Sequence, residues 1–78
     1  MKVVTLYTRA GCHLCEQARA VVDKARRRVA FDLQVLDIDA DAELKSRYND
    51  DVPVIAIDGR DLFRWSVDEE ALVSRLNT

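Results

Sequence analysis

A chain of 78 residues has room for one domain with one core, and a chain this short buries only about 60% of its unfolded surface on folding. Apolar residues make up 49% and charged residues 33%, which excludes the weakly hydrophobic, highly charged composition of a disordered chain. The net charge of -2, with both signs interspersed, argues against a nucleic acid or an anionic membrane as partner, and no apolar run is long enough to span a bilayer.

Residues 2–7, KVVTLY, are rich in β-branched and aromatic types and predict a first strand. The chain enters this stretch without a charged leader and a long apolar run behind it, so a cytoplasmic protein is expected. Residues 8–11 form a short loop. From His13 onward Leu14, Ala18, Val21, Val22, Ala25 and Val29 recur at helical spacing between charged residues, the pattern of an amphipathic helix packed on a sheet. Arg26, Arg27 and Arg28 fall in its last turn, where cations complement the helix dipole and a solvated end is expected.

Phe31, Leu33 and Val35 alternate with Asp32 and Gln34, predicting a second strand that runs through Leu36 toward Ile38. Asp39 or Asp41 can cap a short helix over residues 42–48. Residues 52–57, VPVIAI, read as a strand buried on both faces, opened by a proline that cannot donate a ladder hydrogen bond. Asp58-Gly59 predicts a hairpin turn into a strand over residues 60–64. Ser66 with Glu69 resembles a capping box ahead of a last helix marked by Val67, Ala71, Leu72 and Leu76. Trp65 lies between them, either as an apolar lid on that helix or beside a functional site. The order is β-α-β-α-β-β-α, an α/β domain over residues 1–78 whose four-stranded mixed sheet carries helices on its faces.

The two cysteines of the chain, Cys12 and Cys15, flank its one histidine, His13. In a reducing compartment a close pair is more often catalytic or metal-binding than structural. Cys12 falls where a strand and loop give way to a helix, so the free N–H groups of the first turn and the positive end of the dipole favour its thiolate. A free thiol with a pKa near ~8.5 is mostly protonated at neutral pH, whereas helix N-termini and neighbouring cations can bring it to roughly 3.5–7.5. Arg9 and His13 are the candidate cations. Cys15, three positions on, lies on the same helix face one turn further in, so it is expected to be less exposed and to keep a higher pKa. Cys12 can then attack a disulfide and Cys15 can resolve the mixed disulfide.

Two other readings stand beside this one. The cysteines can simply pack in the core. Zinc usually takes four ligands, and two thiolates with one imidazole do not close a tetrahedron in a monomer, although a dimer could share a zinc ion or an iron-sulfur cluster through cysteines of both chains. The acidic run Asp37, Asp39, Asp41 and Glu43 does not fit a calcium loop, because the sixth position is Ala42 and the twelfth is Tyr48. It reads as a strand end and a helix cap.

A strand, then Tyr7-Thr8-Arg9-Ala10-Gly11-Cys12-His13-Leu14-Cys15, then a helix, then Val52-Pro53 opening a buried strand resembles the glutaredoxin branch of the thioredoxin-like family over nearly the whole chain. Tyr7 and Arg9 stand five and three residues before the first cysteine, as the family has its tyrosine and its basic residue. The resemblance implies a thioredoxin-like fold and thiol-disulfide exchange, with Cys12 as nucleophile, Cys15 as resolving thiol and no bound cofactor. It implies that Pro53 is cis and faces the redox pair, that the backbone of Val52 pairs with the bound thiol substrate, and that Tyr7 lies beside it. Implied partners of a monomer are a disulfide-bearing protein or glutathione, with glutathione or thioredoxin reductase as electron donor.

The chain departs from the family in two places. His13-Leu14 replaces the Pro-Tyr common in glutaredoxins and the Gly-Pro of thioredoxins. Of the family's Gly-Gly turn only Gly59 is present, and Asp61 stands as the equivalent of the aspartate that binds the glutathione γ-glutamyl group. The pattern is nearest to short bacterial glutaredoxin-like proteins. A binding module on the same fold that performs no turnover is the remaining reading.

Overall fold

The computed structural model describes residues 1–78. Its elements are β1 (Val3–Thr8), α1 (His13–Arg28), β2 (Asp32–Asp37), a 3-10 turn (Ile38–Ala40), α2 (Ala42–Tyr48), β3 (Val54–Ile57), β4 (Arg60–Arg64) and α3 (Glu69–Leu76). The sheet order is β2-β1-β3-β4, with β1 parallel to β2 and antiparallel to β3, and β3 antiparallel to β4. This is the predicted four-stranded mixed sheet. α1 makes the crossover that a parallel β1-β2 pair requires.

The core lies where the apolar stripe of α1 meets the central strands. Ala18, Val22 and Ala25 pack with Val4 and Leu6 of β1, Ile55 and Ile57 of β3, and Leu72, Val73 and Leu76 of α3. Arg28, expected in a solvated helix end, instead reaches Glu69 at 3.0 Å and Glu70 at 2.6 Å and ties the end of α1 to the start of α3. A second cluster of Cys15, Ile38, Tyr48, Val52 and Val54, with Tyr7, Cys12 and Leu44 against it, forms where the 3-10 turn and α2 meet the sheet. That cluster carries the site.

Three predicted elements differ in detail. The strand expected over residues 52–57 begins at Val54, with Val52 and Pro53 ahead of it. The alternation of Phe31, Leu33 and Val35 predicted a second strand, but β2 starts one residue later, and its Val35 and Leu36 are 39% and 37% exposed. β2 is an edge strand with one neighbour, so its pleat is only partly covered. The expected Ser66 cap is also displaced: α3 begins at Glu69, and the Asp68 carboxylate accepts the Ala71 N–H at 3.0 Å. A carboxylate at a helix N-terminus gains from the dipole as well as from the hydrogen bond, which favours Asp68 over a serine hydroxyl.

Both residues of the Asp58-Gly59 turn have positive φ, 51° and 84°, as a tight hairpin requires. The acidic run is absorbed by capping: Asp37 accepts the Asp39 N–H at 2.9 Å, and Asp41 accepts those of Glu43 and Leu44 at 2.9 and 3.3 Å.

Candidate active site

β1 delivers the chain to the site at Thr8, and residues 9–12 turn it into α1. Gly11 has φ +75°, a conformation that costs a side-chain-bearing residue strain, and no atom lies within 4 Å of where a Cβ would stand. Cys12 then takes the N-cap position with φ −90° and ψ 109°. Its Sγ accepts the backbone N–H of Cys15 at 3.2 Å, and its carbonyl accepts that of Glu16 at 3.2 Å. The sulfur thus stands where a capping oxygen usually stands, at the N-terminal end of the α1 dipole.

The two sulfurs differ in environment. Cys12 is half-buried, whereas Cys15 is 3% exposed. Burial pushes the Cys15 thiol above its ordinary pKa, and the adjacent Cys12 adds to the rise, while the Thr8 hydroxyl and the Arg9 backbone N–H oppose it. Both cysteines open onto a cavity of about 320 Å³ that the apolar Leu6 and Val35 share with the charged Arg9, Glu16 and Arg19. A partly exposed nucleophile beside a buried, proton-holding thiol is an arrangement suited to two-step exchange.

Val52 and Pro53 precede β3 beside the cysteine pair. Their peptide bond is cis, as the resemblance implied, and Val52 packs in the same cluster as Cys15, with Cys12 and Tyr7 against it. Tyr7 stacks on Tyr48 with ring centroids 4.4 Å apart. The Pro53 carbonyl accepts the backbone N–H of Trp65 at 2.8 Å. Cys12, Cys15, Tyr7 and Val52-Pro53 are therefore brought together.

The remaining expected residues are placed otherwise. Arg9 donates from Nε and Nη2 to both Asp39 carboxylate oxygens, at 3.1 and 2.7 Å, and from Nη1 and Nη2 to the Asn49 carbonyl and amide oxygens, at 2.8 and 3.0 Å. Its guanidinium is committed to the 3-10 turn and the end of α2 rather than hydrogen-bonded to a sulfur. The His13 side chain is 81% exposed and faces Glu16 and Gln17, at 3.7 and 3.3 Å. Asp61 accepts the Tyr48 hydroxyl at 3.0 and 3.2 Å, which leaves its carboxylate engaged within the fold. Trp65 satisfies both of its readings in part. It precedes α3, its indole N–H donates to the Asp50 carbonyl at 3.0 Å, and it shares a groove of about 140 Å³ with Leu14, the residue just before Cys15.

Asp39, Asn49, Thr8 and Tyr48 were not singled out for the site by the sequence. Asp39 had been visible only as one of two candidate caps, and no spacing rule links it to Arg9, thirty residues earlier. No three His, Cys, Asp or Glu side chains converge as a set of metal ligands within the chain. No helix is long and apolar enough to cross a membrane.

Residues 3–77 match the family model described as Glutaredoxin-like domain (DUF836). A glutaredoxin-like protein of Dictyostelium discoideum is 30% identical over 81 residues, covering 96% of this chain and 75% of that one. A solved structure of a structural genomics target protein from X. campestris is 40% identical, with a TM-score of 0.79 and 95% of each chain covered. A thioredoxin of Halobacterium salinarum, at 22% identity and a TM-score of 0.74, covers 97% of this chain and 72% of that one, and shares the fold. The α/β sheet with its three helices is a thioredoxin-like fold.

Proposed function

Because the chain belongs to the glutaredoxin-like domain family, we propose that it is a thiol-disulfide oxidoreductase working through Cys12 and Cys15. The observation that carries this reading is the Cys12 sulfur held as the N-cap of α1 by the Cys15 N–H, with a buried thiol one turn behind it. The Cys12 thiolate attacks one sulfur of a substrate disulfide, forming a mixed disulfide and expelling the other sulfur as a thiolate that takes up a proton. Cys15 gives up its proton and attacks the Cys12 sulfur, which releases the second substrate thiol and leaves a Cys12-Cys15 disulfide. Two electrons pass from protein to substrate, and the proton released by Cys15 goes to the second leaving thiol.

The reaction uses the two sulfurs without a resident cofactor. The substrate is a disulfide-bearing protein or glutathione disulfide, docked with its backbone along Val52 and beside Tyr7. Re-reduction draws on glutathione or on a reductase of the thioredoxin reductase class. The engagement of Asp61 with Tyr48 supports the reductase route, since a carboxylate already accepting a hydroxyl within the fold is a weaker anchor for the γ-glutamyl group of glutathione. A monomer in the reducing cytoplasm, contributing to electron transport between thiol pools and to redox homeostasis, suits an exchange of this kind.

Turnover tests the reading. Oxidised protein is offered either glutathione with glutathione reductase or thioredoxin reductase with NADPH, and consumption of NADPH is followed with a disulfide substrate. Turnover with at least one donor, lost in Cys12→Ser, is expected. Absence of turnover with both, or its survival in Cys12→Ser, contradicts the proposal.

A further inference from the structure

Arg9 lines the same cavity as both sulfurs. A free guanidinium there would stabilise a thiolate on Cys12, and a stabilised thiolate is a weaker nucleophile but a better leaving group. The structure does not leave it free. Asp39 takes two of its donors in a bidentate pair, the geometry in which arginine and carboxylate bind best, and Asn49 takes the remaining contacts from the end of α2. The pair holds the Asp39 carboxyl below the ordinary carboxylate range, so it stays ionised wherever thiol chemistry runs.

Resting on the oxidoreductase reading above, we propose that Asp39 is a positioning residue that fixes the Arg9 guanidinium across the 3-10 turn and α2 and cancels its charge, thereby setting the reactivity of Cys12.

The other charges near the site do not substitute for this pair. Lys45, itself more than half exposed, stands 3.9 Å from Asp39, and Asp50 adds a further negative charge near Arg9. On α1, His13 and Glu16 face each other at 3.7 Å with both side chains about four-fifths exposed, and Arg19 pairs with Asp23 at 3.3 Å. None of these can take two donors of the Arg9 fork from a second structural element, as Asp39 does.

The charges fix the signs. Replacing Asp39 by Asn keeps an oxygen for Arg9 and keeps both Asn49 contacts, but leaves one net positive charge near Cys12. Replacing Arg9 by Gln leaves one net negative charge. Removing both returns the site to neutrality. The readout is the pH profile of Cys12 alkylation by iodoacetamide, with the modified residue identified by peptide mass, in the full-length reduced protein at low ionic strength. Asp39→Asn is expected to move the profile to lower pH by about half a unit, Arg9→Gln to higher pH by about the same amount, and the double variant back to the parent profile. The reduction potential of the pair is expected to rise in Asp39→Asn and to return in the double variant.

A structural effect alone would loosen the site in all three proteins and displace them in one direction. That outcome overturns the inference, as does a double variant that fails to return. The cycle is repeated with Arg9→Ala and Asp39→Ala, so that a fold lost in one version leaves the other to decide. The profile needs no turnover, and a protein that fails to exchange disulfides but shows the opposed, cancelling shifts would retain this inference and lose the proposed function.

Discussion

The Cys12 sulfur accepts the backbone N–H of Cys15 at 3.2 Å while Cys15 itself is only 3% exposed, so the same turn of helix presents one cysteine and hides the other. The alkylating reagent is therefore expected to take Cys12 first at neutral pH. Burial raises the Cys15 pKa, so its reaction should lag and accelerate only as pH climbs beyond the ordinary thiol range. Time-resolved peptide mapping checks the order.

Gly11 turns the loop into α1 at φ +75° with open space around it. Gly11→Ala is expected to cost about 1–2 kcal/mol from backbone conformation alone, with no clash to relieve. Gly11→Asn should cost less, because asparagine visits the left-handed region more readily. Urea unfolding of the three proteins compares them, and the alkylation rate of Cys12 should follow the same order if the turn sets the cap.

Tyr48 is buried and donates to Asp61, and burial together with that hydrogen bond pushes its pKa up to about 12. The neutral phenol is what the fold stabilises. Its contribution is complete below the unfolded tyrosine value near ~10 and is lost as pH rises toward the folded value, an effect on the order of 2 kcal/mol. The unfolding free energy of the parent should therefore fall more steeply between pH 10 and 12 than that of Tyr48→Phe. Parallel slopes in that window would contradict this. At neutral pH Tyr48→Phe leaves the Asp61 carboxylate without its donor and should itself be destabilising.

At the start of α3, Asp68→Ala is expected to lose about 1 kcal/mol with the cap, whereas Ser66→Ala should stay within about 0.5 kcal/mol of the parent. Chemical denaturation of the two variants distinguishes the observed cap from the one that the sequence suggested.

Much of the architecture was legible because it rests on short-range patterns. The helical spacing from Leu14 to Ala25, the apolar run 52–57 and the Asp58-Gly59 turn each specify a local conformation, and together they order the sheet. The cysteine pair was legible for the same reason, since Cys12 and Cys15 sit at a predicted strand-to-helix junction. The uncovered side of β2 was not, because alternation at Leu33 and Val35 says which residues share a face and nothing of what covers it. Ser66 and Asp68 are both good caps two residues apart, and tertiary context chose between them. The Arg9-Asp39 pair, the Tyr7-Tyr48 stack and the Tyr48-Asp61 hydrogen bond join residues brought near only by the fold. An exposed His13 follows from its outward position on the first turn of α1, which its place between two cysteines did not reveal.

The most direct measurement of the central claim is the capture of the exchange intermediate. Cys15→Ser and Cys12→Ser proteins are each incubated with glutathione disulfide, quenched with acid and resolved by intact mass and peptide mapping. The expected result is one glutathione adduct on Cys12 of the Cys15→Ser protein, formed rapidly and released by added thiol, with little on Cys15 of the Cys12→Ser protein. Equal labelling of the two cysteines, or none on Cys12, would contradict a nucleophile and a resolving thiol set apart by the first turn of α1.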